Sequence, residues 1–223
     1  MRTIIMADGR SMRWYAQWQN EVWGINKLKQ LVEVNGEPIL HRTVRLLRAQ
    51  EVYDIWITSH NPAHEVPHTT RYEPPNNEYE IDKFYSPIHL WSKEEDGETL
   101  FVYGDVWFSD QAMFTIVNTQ VDDVLFFGRF HQSYYTEHGG EIFAIKVKDH
   151  NFFKYSCEYI RNKHIAGECR SGAWELYRYM NGASDAALGM YVPYGRFIGI
   201  DDFTDDFDTP EHFKNWLERY NAW

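Results

Sequence analysis

The stretch Thr3-Ile4-Ile5-Met6-Ala7-Asp8-Gly9-Arg10-Ser11-Met12-Arg13, at the start of the chain, decides the fold. Residues 3–7 form a short apolar run stopped by Asp8-Gly9, the pattern of a buried strand that feeds a loop. Beyond a long polar and aromatic loop, Lys29 precedes the strand-like run at 30–34, and Asn35-Gly36-Glu37-Pro38 follows as a turn signal. Residues 39–50 place Ile39, Leu40, Val44, Leu46 and Leu47 at helical spacing, with Arg42, Arg45 and Arg48 between them. Residues 52–58 read as the next strand. This strand–loop–helix–strand order implies a right-handed crossover and a parallel sheet.

Further along, 61–82 holds four prolines and many polar residues and reads as an excursion over the surface. Leu100-Phe101-Val102-Tyr103 predicts an internal strand running into Gly104-Asp105. Residues 124–127 and 141–147 predict further strands, and 151–163 and 171–181 predict helices. Pro210, after Thr209, marks the first turn of a closing helix. No Pro/Gly/Ser-rich stretch divides the 223 residues and no repeat is found, so one domain over 1–223 is expected.

Net charge is −11, yet residues 1–50 carry +4 and the remaining 173 carry −15. A long anionic polymer would be repelled by most of this surface, which argues against nucleic acid as a partner, whereas the basic N-terminal part suits a small anion. No apolar run approaches the roughly 18 residues of a membrane span. The first apolar stretch is too short for a signal peptide. Cys157 and Cys169 give no disulfide framework and suit a reducing cytoplasm, the location expected. His131, His138 and His150 show no metal-ligand spacing, nor do Cys157, His164 and Cys169.

Four segments could carry chemistry. In Ala7-Asp8-Gly9-Arg10-Ser11-Met12-Arg13, a glycine and small residues let backbone N–H groups approach phosphates, and two arginines add charge. Lys29 could set its ammonium on a phosphate. Asp105 ends a hydrophobic strand, where ligands of open parallel sheets bind, and a carboxylate there suits Mg²⁺ and a triphosphate. Residues 201–211 hold five aspartates and one glutamate. One or two could supply a second metal carboxylate, while the rest solvate a loop or stabilise a helix N-terminus. Each also has a plainer reading as a turn, a solvated lysine or a strand-end cap.

In this order, the segments resemble the nucleotidyltransferase family that activates sugar 1-phosphates and related small phosphates, phosphocholine cytidylyltransferases included. The loop at 7–13 is similar to A-[AG]-G-x-G-[ST]-R. Leu28-Lys29-Gln30-Leu31-Val32-Glu33-Val34-Asn35-Gly36-Glu37-Pro38 is similar to P-K-x-L-x-x-[VI]-x-G-x-P, and Phe207-Asp208-Thr209-Pro210-Glu211 to the closing I-D-T-P-E-D. The likeness covers residues 1–60, 100–108 and 205–214 and is nearly absent from 65–95 and 110–200. It implies a Rossmann-like three-layer α/β/α sandwich with a mostly parallel central sheet. It also implies Mg²⁺-dependent nucleotidyl transfer from a nucleoside triphosphate to a small phosphorylated acceptor. Ala7, Asp8, Gly9, Arg10 and Ser11 would then lie at the nucleotide, Arg13 and Lys29 would be catalytic, and Asp105 and Asp208 would hold the metal.

Three positions depart from the pattern. Ser11 replaces a glycine, Leu28 replaces a proline, and Asp8 adds a carboxylate that is unfavourable beside a triphosphate unless it turns away or meets Arg10. Asp206 and Asp208 are not separable as second ligand in so acidic a run. Gly140 and Glu141, ahead of a predicted strand, are candidates for admitting the acceptor. Two alternatives stay open: a nucleotide-sugar-dependent glycosyltransferase of similar fold, against which Gly104-Asp105-Val106-Trp107 lacks an Asp-x-Asp pair, and a non-catalytic relative using Trp14, Tyr15, Trp18 and Trp23 as a partner face.

Overall fold

The computed structural model describes residues 1–8, 14, 28–92, 97–137, 139–188 and 195–222. The chain begins with β1 (Arg2–Met6), a hairpin of β2 (Glu33–Val34) and β3 (Glu37–Pro38), α1 (Ile39–Ala49), β4 (Ile55–Thr58) and β5 (Thr70–Tyr72). Then come α2 (Asp82–Tyr85), β6 (Thr99–Tyr103), β7 (Val106–Trp107), α3 (Asp110–Asn118), β8 (Val124–Arg129) and β9 (Glu141–Val147). Helices α4 (His150–Ile165) and α5 (Ala173–Met180), strands β10 (Phe197–Gly199) and β11 (Asp205–Asp206), and α6 (Pro210–Asn221) complete it.

Seven strands form the central sheet in the order β10-β8-β9-β6-β1-β4-β5. The pairs β1–β4, β1–β6, β4–β5 and β10–β8 are parallel, and β9 alone runs antiparallel to its neighbours β6 and β8. Strand β1 lies at the sheet's interior, where Ile4 and Ile5 are fully buried on opposite faces. On one face, Leu40, Val44 and Leu47 of α1 and Met113 and Ile116 of α3 pack against Ile5, Ile57 and Val102. On the other, Phe84 of α2, Phe153 and Ile160 of α4 and Leu176 of α5 pack against Ile4, Phe101 and Ile145. Helices on both faces give the expected three layers. A third apolar cluster gathers Trp14, Trp107, Phe207, Phe213 and Trp216 beneath α6, so Trp14 belongs to the core and not to a partner face. Tyr15, Trp18 and Trp23 lie outside the described residues.

Two expectations change. The run at 30–34 is not one strand: Lys29–Leu31 is a 3₁₀ turn and only Glu33–Val34 pairs as a strand. Asn35 (φ 54°) and Gly36 (φ 79°) make the tight reversal to β3, and both need left-handed φ. That closes the hairpin too soon for a long strand. The proline-rich stretch 61–82 also does more than cross the surface, because Thr70–Tyr72, with Trp56↔Thr70 in register, adds an edge strand. An edge position tolerates the neighbouring prolines, since half its backbone groups need no ladder partner.

The β8–β9 ladder shifts register after Phe127, so that Gly128 faces Ile142 and Arg129 faces Glu141. Gly128 permits this because an added Cβ would lie 2.1 Å from the Glu141 carbonyl oxygen. The shift sets the direction of Glu141 at the start of β9. Gly128→Ala is therefore expected to cost about 1–3 kcal/mol through overpacking. A urea unfolding midpoint equal to that of the unsubstituted protein would show that this strand contact is looser than described.

Candidate active site

The carboxyl ends of β1 and β6 open into a cavity of about 1190 Å³ lined by Asp8, Lys29, Asp105, Glu141, Asp206 and Asp208 among others. Such a position beyond the strand ends is where open α/β sheets bind ligands. Lys29 starts the 3₁₀ turn, and its side chain is only 11% exposed. Its ammonium forms an ion pair with Asp105 and lies 3.9 Å from Asp208 Oδ1. Burial alone would lower the Lys29 pKa. The charge and hydrogen bond of Asp105, with Asp206 and Asp208 behind, outweigh burial and hold it above the ordinary lysine value. Asp105 responds in the opposite sense: burial pushes it up, but Lys29 and then Lys83 keep it below the usual carboxylate range.

The acidic run sorts itself by contact. Asp202 accepts from Ser109 Oγ at 2.5 Å and from the Thr204 amide at 2.7 Å, which fixes the loop before α3. Asp201 is exposed and lies 3.5 Å from His131 Nε2. Asp205 is fully buried, takes Arg129 Nη2 at 2.7 Å, and also accepts from Ser133 and Thr136. β11 pairs antiparallel with β7, with Asp206 opposite Val106. Because β7 directly follows Asp105, this pairing carries Asp206 and Asp208 to the strand end where Asp105 sits. Thr209 then caps α6 by accepting from the His212 amide at 3.1 Å, and Pro210 occupies the first turn.

Glu141, Asp206 and Asp208 each offer one carboxylate oxygen, and these oxygens all lie within 4.8 Å of one another. Burial first, then the like charges of Glu141, Asp208, Asp205 and Asp105, push the Asp206 pKa well above the usual range. The donor set is entirely oxygen, which fits a hard divalent cation such as Mg²⁺.

The structure thus brings together Lys29, Asp105, Asp208 and Glu141 of the expected site residues. The tight carboxylate group pairs Asp208 with Asp206 and Glu141, while Asp105 stands at its edge against Lys29. Glu141, expected among acceptor-binding residues, faces this group. Gly140 serves backbone packing, because a Cβ there would meet the Phe130 carbonyl oxygen at 2.4 Å. Ala7 is buried at the end of β1. Asp8 meets His60, and Asn77 Nδ2 donates to it at 2.7 Å. Gly9, Arg10, Ser11 and Arg13 lie outside the described residues.

Sequence reasoning missed Arg129 and Asp205, which anchor the acidic segment, and Glu80, Lys83 and Tyr103, which also line the cavity. Only Tyr103 carried a signal, by its place two residues before Asp105. No helix among the described residues is long and apolar enough to cross a membrane.

No protein-family model matches this sequence, and no curated protein sequence matches it. Solved structures share its fold. A Bacillus anthracis protein described as a glucose-1-phosphate thymidylyltransferase aligns over 100% of this chain and 96% of its own, with TM-score 0.63 and 13% identity. The CTP:phosphocholine cytidylyltransferase of Streptococcus pneumoniae aligns over 98% of each chain, with TM-score 0.55 and 12% identity. The 4-diphosphocytidyl-2C-methyl-D-erythritol synthase of Anaerococcus prevotii aligns over 99% of this chain and 97% of its own, with TM-score 0.57 and 12% identity. The fold is that of nucleotidyltransferases across the whole chain length.

Because the raised Asp206 pKa favours the protonated acid in the folded state, its contribution to stability is present at low pH. That contribution is lost as pH rises from the ordinary carboxylate value toward the raised one. Asp206→Asn is expected to raise Tm of the ligand-free protein at pH 8, by about 2–4 °C for each kcal/mol of repulsion removed, and to leave it unchanged near pH 3. Calorimetry at the two pH values checks this, and an equal shift at both would remove the electrostatic account.

Proposed function

We propose that the protein transfers a nucleotidyl group from a nucleoside triphosphate to a small phosphorylated acceptor and releases pyrophosphate. The observation that carries this reading is Lys29, buried and ion-paired at the strand ends beside the carboxylates of Glu141, Asp206 and Asp208. The shared fold supports it, as the similar structures include a thymidylyltransferase and two proteins that handle cytidylyl groups by name.

In this reaction an oxygen of the acceptor phosphate attacks the α-phosphorus, and the bond to the bridging oxygen of pyrophosphate breaks. The acceptor oxygen is already ionised, so no protein nucleophile and no general base are required. What the protein must supply is position and charge. Lys29 leaves Asp105 to donate to the α-phosphoryl oxygens, where negative charge is redistributed as the new bond forms. A lysine whose pKa is held up keeps its proton throughout. Arg13 and the backbone at Ala7, Asp8, Gly9, Arg10 and Ser11 would bind the nucleotide, with Arg13 on the triphosphate.

Glu141, Asp206 and Asp208 are the residues that would hold Mg²⁺, with Asp105 at their edge. Bound there, the ion would neutralise phosphate charge that these carboxylates otherwise repel. Asp105 has a second duty under this reading, since it holds Lys29 at the strand end until the triphosphate arrives.

Pyrophosphate release with Mg²⁺ tests the proposal, with four nucleoside triphosphates against a panel of sugar 1-phosphates and phosphocholine. Acceptor-dependent release is expected for at least one pair. Lys29→Ala should lower kcat about 10²–10³-fold, as loss of one preorganised donor does elsewhere. A Lys29→Ala protein with undiminished kcat would take the reaction away from this site.

A further inference from the structure

Among the described residues, eight carboxylates and four Lys or Arg side chains line the cavity. A phosphate monoester entering that field is repelled unless a cation with uncommitted donors meets it. The four cations differ in this respect. Lys29 is held by Asp105 and lies near Asp208. Arg178 donates to Glu175 Oε1 at 3.3 Å and to the Leu188 carbonyl at 2.9 Å. Lys83 and Arg170 have no hydrogen bond or ion pair among the described residues. Arg170 is exposed, in the loop before α5, whereas Lys83 is half-buried on α2.

The Lys83 ammonium lies 5.7 Å from the centroid of the Tyr103 ring. Tyr103 ends β6, two residues before Asp105, and its hydroxyl donates to Glu80 Oε1 at 2.8 Å. That bond fixes the ring against which the ammonium rests. A ring face attracts the charge but does not occupy three N–H donors, so Lys83 is placed and still able to bind. Its charge reaches the reacting end of the cavity, because it joins Lys29 in holding down the Asp105 carboxyl against the push of burial.

Among the described residues the cavity also offers the N-terminus of α5, and it is already filled. The Ala173 amide donates to Glu80 Oε1 at 3.3 Å, and the Gly172 amide donates to Glu175 Oε2 at 3.1 Å. Two internal carboxylates thus sit where a phosphate could have been taken by backbone N–H groups. Among the described residues this leaves the side chain on α2.

We propose that Lys83 is the anion-binding residue of the acceptor subsite, taking the phosphate of a phosphate monoester and presenting it beside Lys29. The assignment rests on the nucleotidyl-transfer reading for its role, but not for its chemistry. Glu80 and Tyr103 act here as positioning residues that hold the platform under Lys83.

Isothermal titration of the full chain with inorganic phosphate, and separately with nucleoside triphosphates, tests it. Lys83→Gln is expected to weaken phosphate about tenfold or more and to leave triphosphate affinity within about twofold, while Lys83→Arg retains phosphate binding. Arg170→Gln removes an equal charge from the rim and should change phosphate affinity less than about twofold. Several results would overturn the proposal: a protein that binds no phosphate, equal losses in Lys83→Gln and Arg170→Gln, or a parallel loss of triphosphate. Phosphate binding that depends on Lys83, without transfer from any triphosphate, would keep the subsite and remove the reaction. Transfer whose acceptor KM is unmoved by Lys83→Gln would do the reverse.

Discussion

Asp205 and Arg129 meet in the interior, each almost fully buried, and the acidic end of the cavity is built on that pair. A charge taken out of water is costly unless it is matched and hydrogen-bonded, and here Asp205 is well matched while the buried Arg129 Nε finds no partner among the described residues. Asp205 accepts from Arg129, Ser133 and Thr136, and Arg129 also reaches the Thr204 carbonyl at 3.3 Å. The pair ties β11 to the end of β8, while the β11–β7 ladder ties it to the segment after Asp105. Asp206 and Asp208 thus lie close together despite their like charge, next to a buried ion pair that anchors their segment.

That constraint explains the electrostatics of the cavity. Lys29 is drawn into the carboxylate group and Asp105 is kept ionised by it, whereas Asp206, deeper and surrounded by acids, is pushed toward its neutral form. Carboxylates with lowered and raised pKa values thus lie a short distance apart at one end of the cavity. Elsewhere in the cavity, Glu80 and Glu175 occupy the α5 N-terminus, and Lys83 has no hydrogen bond or ion pair among the described residues.

Asp8 illustrates how a departure from a family pattern is absorbed. A carboxylate beside a triphosphate would be repulsive, but His60 and Asn77, from the ends of neighbouring loops, engage it. Those partners come from residues 52 and 69 positions along the chain, so nothing near Asp8 in sequence announces them.

The sequence by itself determined the sheet's first crossover and singled out Lys29 and Asp105, which meet in an ion pair at the strand ends. Residues 2–58 alternate apolar runs, turn residues and a helical period, and such signals are local: each depends on neighbours a few positions away. Lys29 and Asp105 were legible for the same reason, since each is placed by the short element that it adjoins. The tertiary structure decided the rest. Glu141 joins Asp206 and Asp208 through a register shift at Gly128, and Arg129 finds Asp205 across 76 positions. Thr70–Tyr72 becomes a strand because β4 has a free edge to pair with, and Lys83 faces a cavity because Tyr103 lies under it. Ladder register, burial and the pairing of distant charges are properties of surfaces brought into contact. No window of sequence contains both sides of such a contact, and that is why Lys29 could be read from the chain while its surroundings could not.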